Sequence, residues 1–189
     1  CGLSITKDGS FFYCDYSLGK AEYEEKKQLL EDKVKQIENE LSKRSNVFDK
    51  ELYIHNLIID SCNYVSTDDL MESTACGVLI DGEASCEGYA KAAKLLLDVA
   101  GIESYLVCGT ATRDDGAREG HMWNIVSIDS KQYNLDVTWD DPISEDSSEN
   151  KRYSYFNITD TEIQKTHSFE KGPAGCTATD ENYFVRTES

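Results

Sequence analysis

No run of apolar residues in this chain approaches the roughly 20 that cross a bilayer as a helix, so no membrane span is expected. Positive charge is scarce. The chain has 19 Lys and Arg against 36 Asp and Glu, and a formal net charge of −17. Phosphate backbones and anionic lipids bind through clustered Lys and Arg, so nucleic acid is excluded as a partner. The charge reads mostly as a solubility device, and it favours cationic partners. Paired cysteines are missing too. The seven, at 1, 14, 62, 76, 86, 108 and 176, form no Cys-x-x-C, so zinc is not expected from spacing; no cofactor is expected either. No internal repeat is read in the chain, and the lack of a signal-peptide pattern excludes nothing in a chain that reads as a mature form or a fragment. The Cys1-Gly2 start reads as a cut end, with a processed lipoprotein as the alternative.

At 189 residues this is one domain, or one domain with an appendage. That length buries a core without disulfides. In an oxidising compartment seven cysteines leave one thiol unpaired, and Cys86 is the candidate. In the cytosol all seven are reduced. Residues 1–48 form an N-terminal hairpin and charged helix, and 49–189 the main domain. Leu3-Ser-Ile and Phe11-Phe-Tyr-Cys flank Lys7-Asp-Gly-Ser, a strong hairpin turn signal. The helix runs from about Ala21 to Arg44. Its narrow stripe of Leu30, Val34, Ile37 and Leu41 is expected to pack on its own domain rather than in a coiled coil.

In the main domain, Asp49 is expected to cap a helix to about Cys62, with Leu52, His55, Ile58, Ile59 and Cys62 inward. Asn63 to Cys76 reads as a polar loop. Cys86 to Ala100 reads as helix, with Tyr89, Ala93, Leu96, Leu97 and Ala100 on one face and Gly101 as its C′ residue. Tyr105 to Thr110 reads as a buried strand and Arg113 to Gly120 as a loop. His121 to Ile128 and Tyr133 to Trp139 alternate as the arms of an antiparallel hairpin. Ile143 to Lys151 is an acidic, serine-rich loop. Tyr153 to Ile158 reads as a strand. Thr159 or Asp160 caps a short helix to about His167, Gly172 to Gly175 turns, and Asn182 to Val185 is a closing strand.

The chemistry concentrates between Cys86 and Asp136. Cys86 sits in the first turn of its helix, where unpaired N–H groups and the helix dipole favour thiolate. Alone it would read as an inert buried cysteine. Two further residues change that weighting. If Asp129-Ser130 is a two-residue turn, Trp123 lies opposite Asp136 and His121 one diagonal step away, roughly 7–8 Å between backbones. A turn at Ser130-Lys131 would move the pair apart. In the closer register His121 takes the thiol proton, and Asp136 fixes the imidazole tautomer. The Cys86 N–H is the candidate oxyanion donor. His55, on an apolar helix face, reads as a core histidine. His167 reads as a surface or helix-end histidine, with reach to the site as the alternative. Trp123, Tyr89 and Tyr64 are candidate substrate-binding residues, with simple packing as the alternative for Tyr64.

Three segments carry a resemblance. They are Gly77-Val-Leu-Ile-Asp-Gly-Glu-Ala-Ser-Cys86-Glu-Gly-Tyr-Ala, Gly120-His121-Met122-Trp123-Asn124 and Asp136-Val-Thr-Trp-Asp-Asp-Pro142. Together they resemble the transglutaminase-like superfamily of cysteine enzymes in its bacterial form. That pattern has a glycine-led short strand, Cys-x-Gly-Tyr-Ala opening a helix, Gly-His-Ala-Trp-Asn, and Asp-x-Thr-Trp-Asp-Asp-Pro. The chain departs from it at Met122, where alanine is usual, and at Cys76, where an aromatic is often found. Met122 points away from the His121 face, so its effect is expected on packing.

The resemblance implies an α+β fold of papain-like, transglutaminase-core type, with the nucleophile helix packed on an antiparallel sheet. It implies a Cys86–His121–Asp136 triad and acyl transfer through a thioester on a protein or peptide substrate. The expected reaction is that of a cysteine peptidase or amidase. The alternatives are cross-linking of glutamine to lysine amines, a non-catalytic surface binding module, and, more remotely, a metal site using Cys86, His121, Asp136 and His167. A secreted or cell-surface bacterial protein is expected. The sequence is silent on oligomeric state.

Overall fold

The computed structural model describes residues 2–6, 9–13, 19–67, 69–141, 152–171 and 174–187. Strands β1 (Gly2–Thr6) and β2 (Gly9–Tyr13) pair antiparallel as a hairpin. Its tip at 7–8 and the expected loop of Ile143 to Lys151 lie outside the described residues. Helices α1 (Lys20–Leu41) and α2 (Val47–Ser61) follow. Next come the short β3 (Asn63–Tyr64), a 3-10 turn at Leu70–Ser73, a wide helical turn at Gly77–Asp81, and β4 (Glu83–Ala84), which runs parallel to β3. Helix α3 (Cys86–Val99) leads into β5 (Glu103–Thr112), β6 (Arg118–Ile128) and β7 (Lys131–Leu135). Helix α4 (Asp160–Ile163), β8 (His167–Phe169) and α5 (Tyr183–Thr187) complete the chain.

The main sheet has the order β7-β6-β5-β8, with every neighbour antiparallel. Helix α3 lies on it. Ala92, Ala93, Leu96 and Leu97 of α3 pack with Val126, Ile128, Tyr133 and Leu135 of the sheet and with Ile54 and Ile58 of α2. Ile37 and Leu41 of α1 join the same core, so the α1 stripe is used within its own domain. A smaller cluster of Trp123, Ile158 and Ile163 packs with Val107, Tyr155 and Phe169. The architecture is α+β, three helices against an antiparallel sheet. Among the described residues, no helix is long and apolar enough to cross a membrane.

Several elements differ from expectation, each for a local reason. Asn46, not Asp49, caps α2. Its Oδ1 accepts the Asp49 N–H at 2.8 Å and its Nδ2 donates to Asp49 Oδ2 at 2.7 Å, a reciprocal capping arrangement with Asp49 at the third helical position. The glycine-led segment at 77 is a helical turn, ended by Gly82 in the left-handed region at φ 77°. Strand β5 is not buried along its length. Strand β8 pairs only with its Gly109–Ala111 stretch, and Tyr105, Leu106 and Cys108 are exposed. Residues 153–158 are mostly turn, because Asn157 adopts φ 53° and leaves a single bridge between Asn134 and Ile158. The expected last strand is helix α5. The five described cysteines (62, 76, 86, 108 and 176) are all free thiols.

Candidate active site

Helix α3 presents Cys86 at its first position, after an extended Ser85. Ser85 is tied down on both sides: its N–H donates to the Glu72 carbonyl at 3.0 Å, and its hydroxyl reaches the same oxygen at 3.3 Å. The 3-10 turn therefore sits directly on the start of α3. This explains the glycine two residues after the cysteine. A Cβ on Gly88 would lie 2.2 Å from the Glu72 carbonyl oxygen and 2.8 Å from Ala84 Cβ. Gly88→Ala is expected to destabilise the fold by about 1–3 kcal/mol or more, as overpacking against backbone does; urea unfolding measures it.

The β6–β7 hairpin brings the next two groups together. Asp129 and Ser130 have φ of 50° and 64°, the positive pair that a tight two-residue turn requires. The register then runs from Ile128 opposite Lys131 to Asn124 opposite Leu135. One step further, Trp123 faces Asp136, the closer of the two registers considered from sequence. Strand β7 stops at Leu135, however, not at Trp139. Asp136 opens a turn in which its Oδ1 accepts the Thr138 and Trp139 N–H groups at 3.1 and 3.2 Å. Its Oδ2 meets His121 Nε2 at 2.7 Å, and both side chains are buried.

Burial disfavours a charge on His121, but the Asp136 carboxylate and its hydrogen bond outweigh that. A hydrogen bond with Cys86 adds to them, and together they push the imidazole up to about 10. Burial likewise opposes ionisation of Asp136, yet the charge and hydrogen bond of His121, joined by those of His167, hold its carboxyl well below its ordinary value. Nε2 of His121 is taken by Asp136, so Nδ1 is the ring nitrogen that Asp136 leaves available. Cys86 itself is partly exposed. Asn124 Nδ2 donates to the Ala90 carbonyl at 3.0 Å, which ties β6, the strand of His121, to α3, the helix of Cys86.

The sequence reading misplaced His167. It is neither a surface nor a helix-end residue. It lies on β8 and is buried, and its Nε2 reaches Asp136 Oδ2 at 3.0 Å. Nothing near it in the chain announces this; the approach depends on β8 folding back onto β5. Gly109 permits that approach, since a Cβ there would strike the Ser168 carbonyl oxygen at 2.2 Å and the Trp123 ring at 2.8 Å. The ligand atoms of His121, Asp136 and His167 all lie within 4.8 Å of one another, a set that has the donors for a metal ion. Both Nε2 atoms already point at one carboxylate oxygen at hydrogen-bonding distance, and this accounts for the geometry without an ion. Cys86 is not part of the set.

The three candidate substrate-binding residues separate. Trp123 is 1% exposed and Tyr89 0%, so neither offers a surface to a substrate. Trp123 stacks on His121 with the rings 6.1 Å apart and donates its Nε1–H to Asn134 Oδ1 at 3.1 Å. The Tyr89 hydroxyl donates to Asp141 Oδ2 at 2.6 Å and lies 3.2 Å from the Cys62 carbonyl. Tyr64 is half-buried and does border the site: burial, then the nearby Cys86 and Glu119, hold its hydroxyl above its ordinary value. Glu119 is paired with Arg113, which, ahead of the charge of His121, keeps its carboxyl low. His55 is a core histidine as expected, with Nε2 3.0 Å from Asp140 Oδ2.

A cysteine at a helix start and a histidine–aspartate pair on the neighbouring hairpin fall within one family profile, the transglutaminase-like superfamily, which matches residues 24–137. The chain belongs to this superfamily. Its members are usually enzymes, and its fold is of the papain-like, transglutaminase-core type. Comparison with curated proteins finds no match. Among solved structures, one described as a TGase aligns with 64% of this chain and 33% of its own, at 17% identity and TM-score 0.48. A candidate cysteine protease from Cytophaga hutchinsonii aligns with 57% of this chain and 37% of its own, at 19% identity and TM-score 0.48. Calcium-bound LapG from Legionella pneumophila aligns with 81% and 85%, at 12% identity and TM-score 0.48. The chain thus spans about a third of the length of the first two.

Proposed function

We propose that this transglutaminase-like protein is a thiol-dependent hydrolase of amide bonds, in peptides or glutamine side chains, that works through a thioester on Cys86. One observation carries the reading: His121 Nε2 is hydrogen-bonded to Asp136 Oδ2 at 2.7 Å, and Cys86 is near enough to raise the imidazole further. Asp136 orients the ring and favours its charged form, which in turn favours the thiolate. The sulfur attacks the amide carbon, forming a C–S bond. The oxyanion faces the Cys86 N–H, which has no intrahelical acceptor in the first turn. The C–N bond then breaks, and the amine leaves with the Nδ1 proton of His121. Water attacks the thioester with His121 as base, and the carboxylic acid product and the thiol are restored. Cys86 is partly exposed, so water has access, and this favours hydrolysis over transfer to an amine.

Alkylation by iodoacetamide, followed by mass spectrometry across pH, tests the site. In the wild type Cys86 should react rapidly already near pH 6. His121→Ala should abolish that reactivity. Profiles that coincide in the two proteins would remove the activated pair. With glutamine peptides, product that forms only when an amine is added would replace hydrolysis by transfer. The same pair links stability to pH. Asp136 contributes above its unfolded value of about 3.9, and His121 contributes fully below about 6.5. The contribution is lost as pH rises through about 10, or falls through the depressed value of Asp136.

A further inference from the structure

One buried group has no part in that reaction scheme, yet it touches its central carboxylate. His167 Nε2 lies 3.0 Å from Asp136 Oδ2, the oxygen that His121 Nε2 meets at 2.7 Å. An ionised carboxylate only accepts, so both imidazoles must donate to it. Oδ1 is occupied by the Thr138 and Trp139 N–H groups. Four donors therefore fill one carboxylate, and two of them compete for one oxygen.

His167 is held for this contact. Its Nδ1 lies 2.8 Å from Thr166 Oγ1, which lies 3.2 Å from the Tyr155 hydroxyl. Trp139 packs edge-on at 4.6 Å, Trp123 at 5.3 Å and His121 at 5.1 Å between ring centroids. The strand pairing of His167 with Ala111 fixes its backbone.

We propose that His167 is a positioning residue: by sharing Asp136 Oδ2 it limits how tightly the carboxylate holds the His121 proton, so that the imidazole can both give and take it. The proposal rests on the triad reading above. A carboxylate with a single imidazole donor would keep its full basicity for that donor. The imidazolium would then be a poorer acid toward the departing amine. A second donor withdraws part of that basicity while keeping Asp136 ionised. The other titratable groups facing the cluster are Cys86 from α3, Tyr64 from β3, Glu119 from β6, Asp140 from the turn after β7, and Tyr155.

The test is an NMR titration of 15N-histidine-labelled protein, reading the His121 ring in the wild type and in His167→Leu, His167→Asn and His167→Gln. Leucine removes the donor. Asparagine keeps a polar group beside Thr166 but is too short to reach Asp136, so it serves if leucine prevents folding. Glutamine places its amide nitrogen near the Nε2 position and restores the bond. In the donor-less variants His121 should hold its proton to a pH higher by about one unit, the scale of one hydrogen bond to a charged group. Its Nε2–H proton should also move downfield at pH 7. Glutamine should behave as the wild type. An unchanged or lowered His121 titration in a folded donor-less variant would overturn the proposal. This readout needs no turnover, so it fails separately from the hydrolase reading, which the Cys86 alkylation profile decides.

Discussion

Turnover is expected to fall about 10⁴-fold in Asp136→Asn, with the fold retained. The two backbone N–H groups at Oδ1 can be satisfied only by an oxygen, so the asparagine carbonyl must take that position. Its NH₂ then points at His121 Nε2, where the carboxylate oxygen stood. A donor facing Nε2 forces the imidazole to place its proton on Nδ1. That is the nitrogen otherwise left available, and it can no longer accept the thiol proton. His121 also loses the charge that offsets its burial, so the imidazolium is lost as well. Single-turnover kinetics on a peptide amide, or iodoacetamide alkylation near pH 6, measures the loss. A variant that retains wild-type alkylation at pH 6 would sink the role of Asp136.

Four residues along the chain, the same substitution is expected to be harmless. Asp140 is buried, its Oδ2 is 3.0 Å from His55 Nε2, and its Oδ1 accepts the Tyr155 N–H at 2.7 Å. Burial drives its carboxyl well above the ordinary value, opposed by the Tyr155 N–H and helped by the negative charge of Asp136. Burial pushes His55 down to about 3. The pair therefore shares one proton in its uncharged form, with Asp140 donating to Nε2 and the His55 Nδ1–H donating to Asn56 Oδ1, 3.3 Å away.

Asparagine reproduces that pattern at position 140: its carbonyl accepts from Tyr155 and its amide donates to His55. Asp140→Asn should match the wild type in urea unfolding near pH 4 and exceed it increasingly as pH rises to 8. The wild-type contribution from a raised carboxyl is present below about pH 4 and is lost as pH rises. Asp140→Ala leaves His55 Nε2 and the Tyr155 N–H without a partner and should lose roughly 2–5 kcal/mol. An asparagine variant as unstable as the alanine variant would mean that the pair is ionic.

These two aspartates show where reading the chain stops. Both stand in one short motif, and each is paired with a histidine. Turn chemistry placed Asp136 correctly, because the positive-φ pair at 129–130 sets the register within a few residues. The strand expected through Trp139 failed because Asp136 satisfies its own turn, which no alternation of polar and apolar residues reveals. Trp123 and Tyr89 were assigned to the substrate, but aromatic type does not distinguish a cleft wall from a buried support. Their partners, Asn134 and Asp141, lie in other elements.

By itself the sequence determined the helix that begins at Cys86 and the hairpin that carries His121 toward Asp136. Each depends on caps, turns and periodicity within a few residues, where local sterics decide the outcome. Only the tertiary structure decided which carboxylate is charged, which aromatics are buried, and that His167 reaches the site. Those properties depend on burial and on partners 31 residues away for His167 and 85 for His55. Desolvation, not residue type, sets the charge of a buried acid.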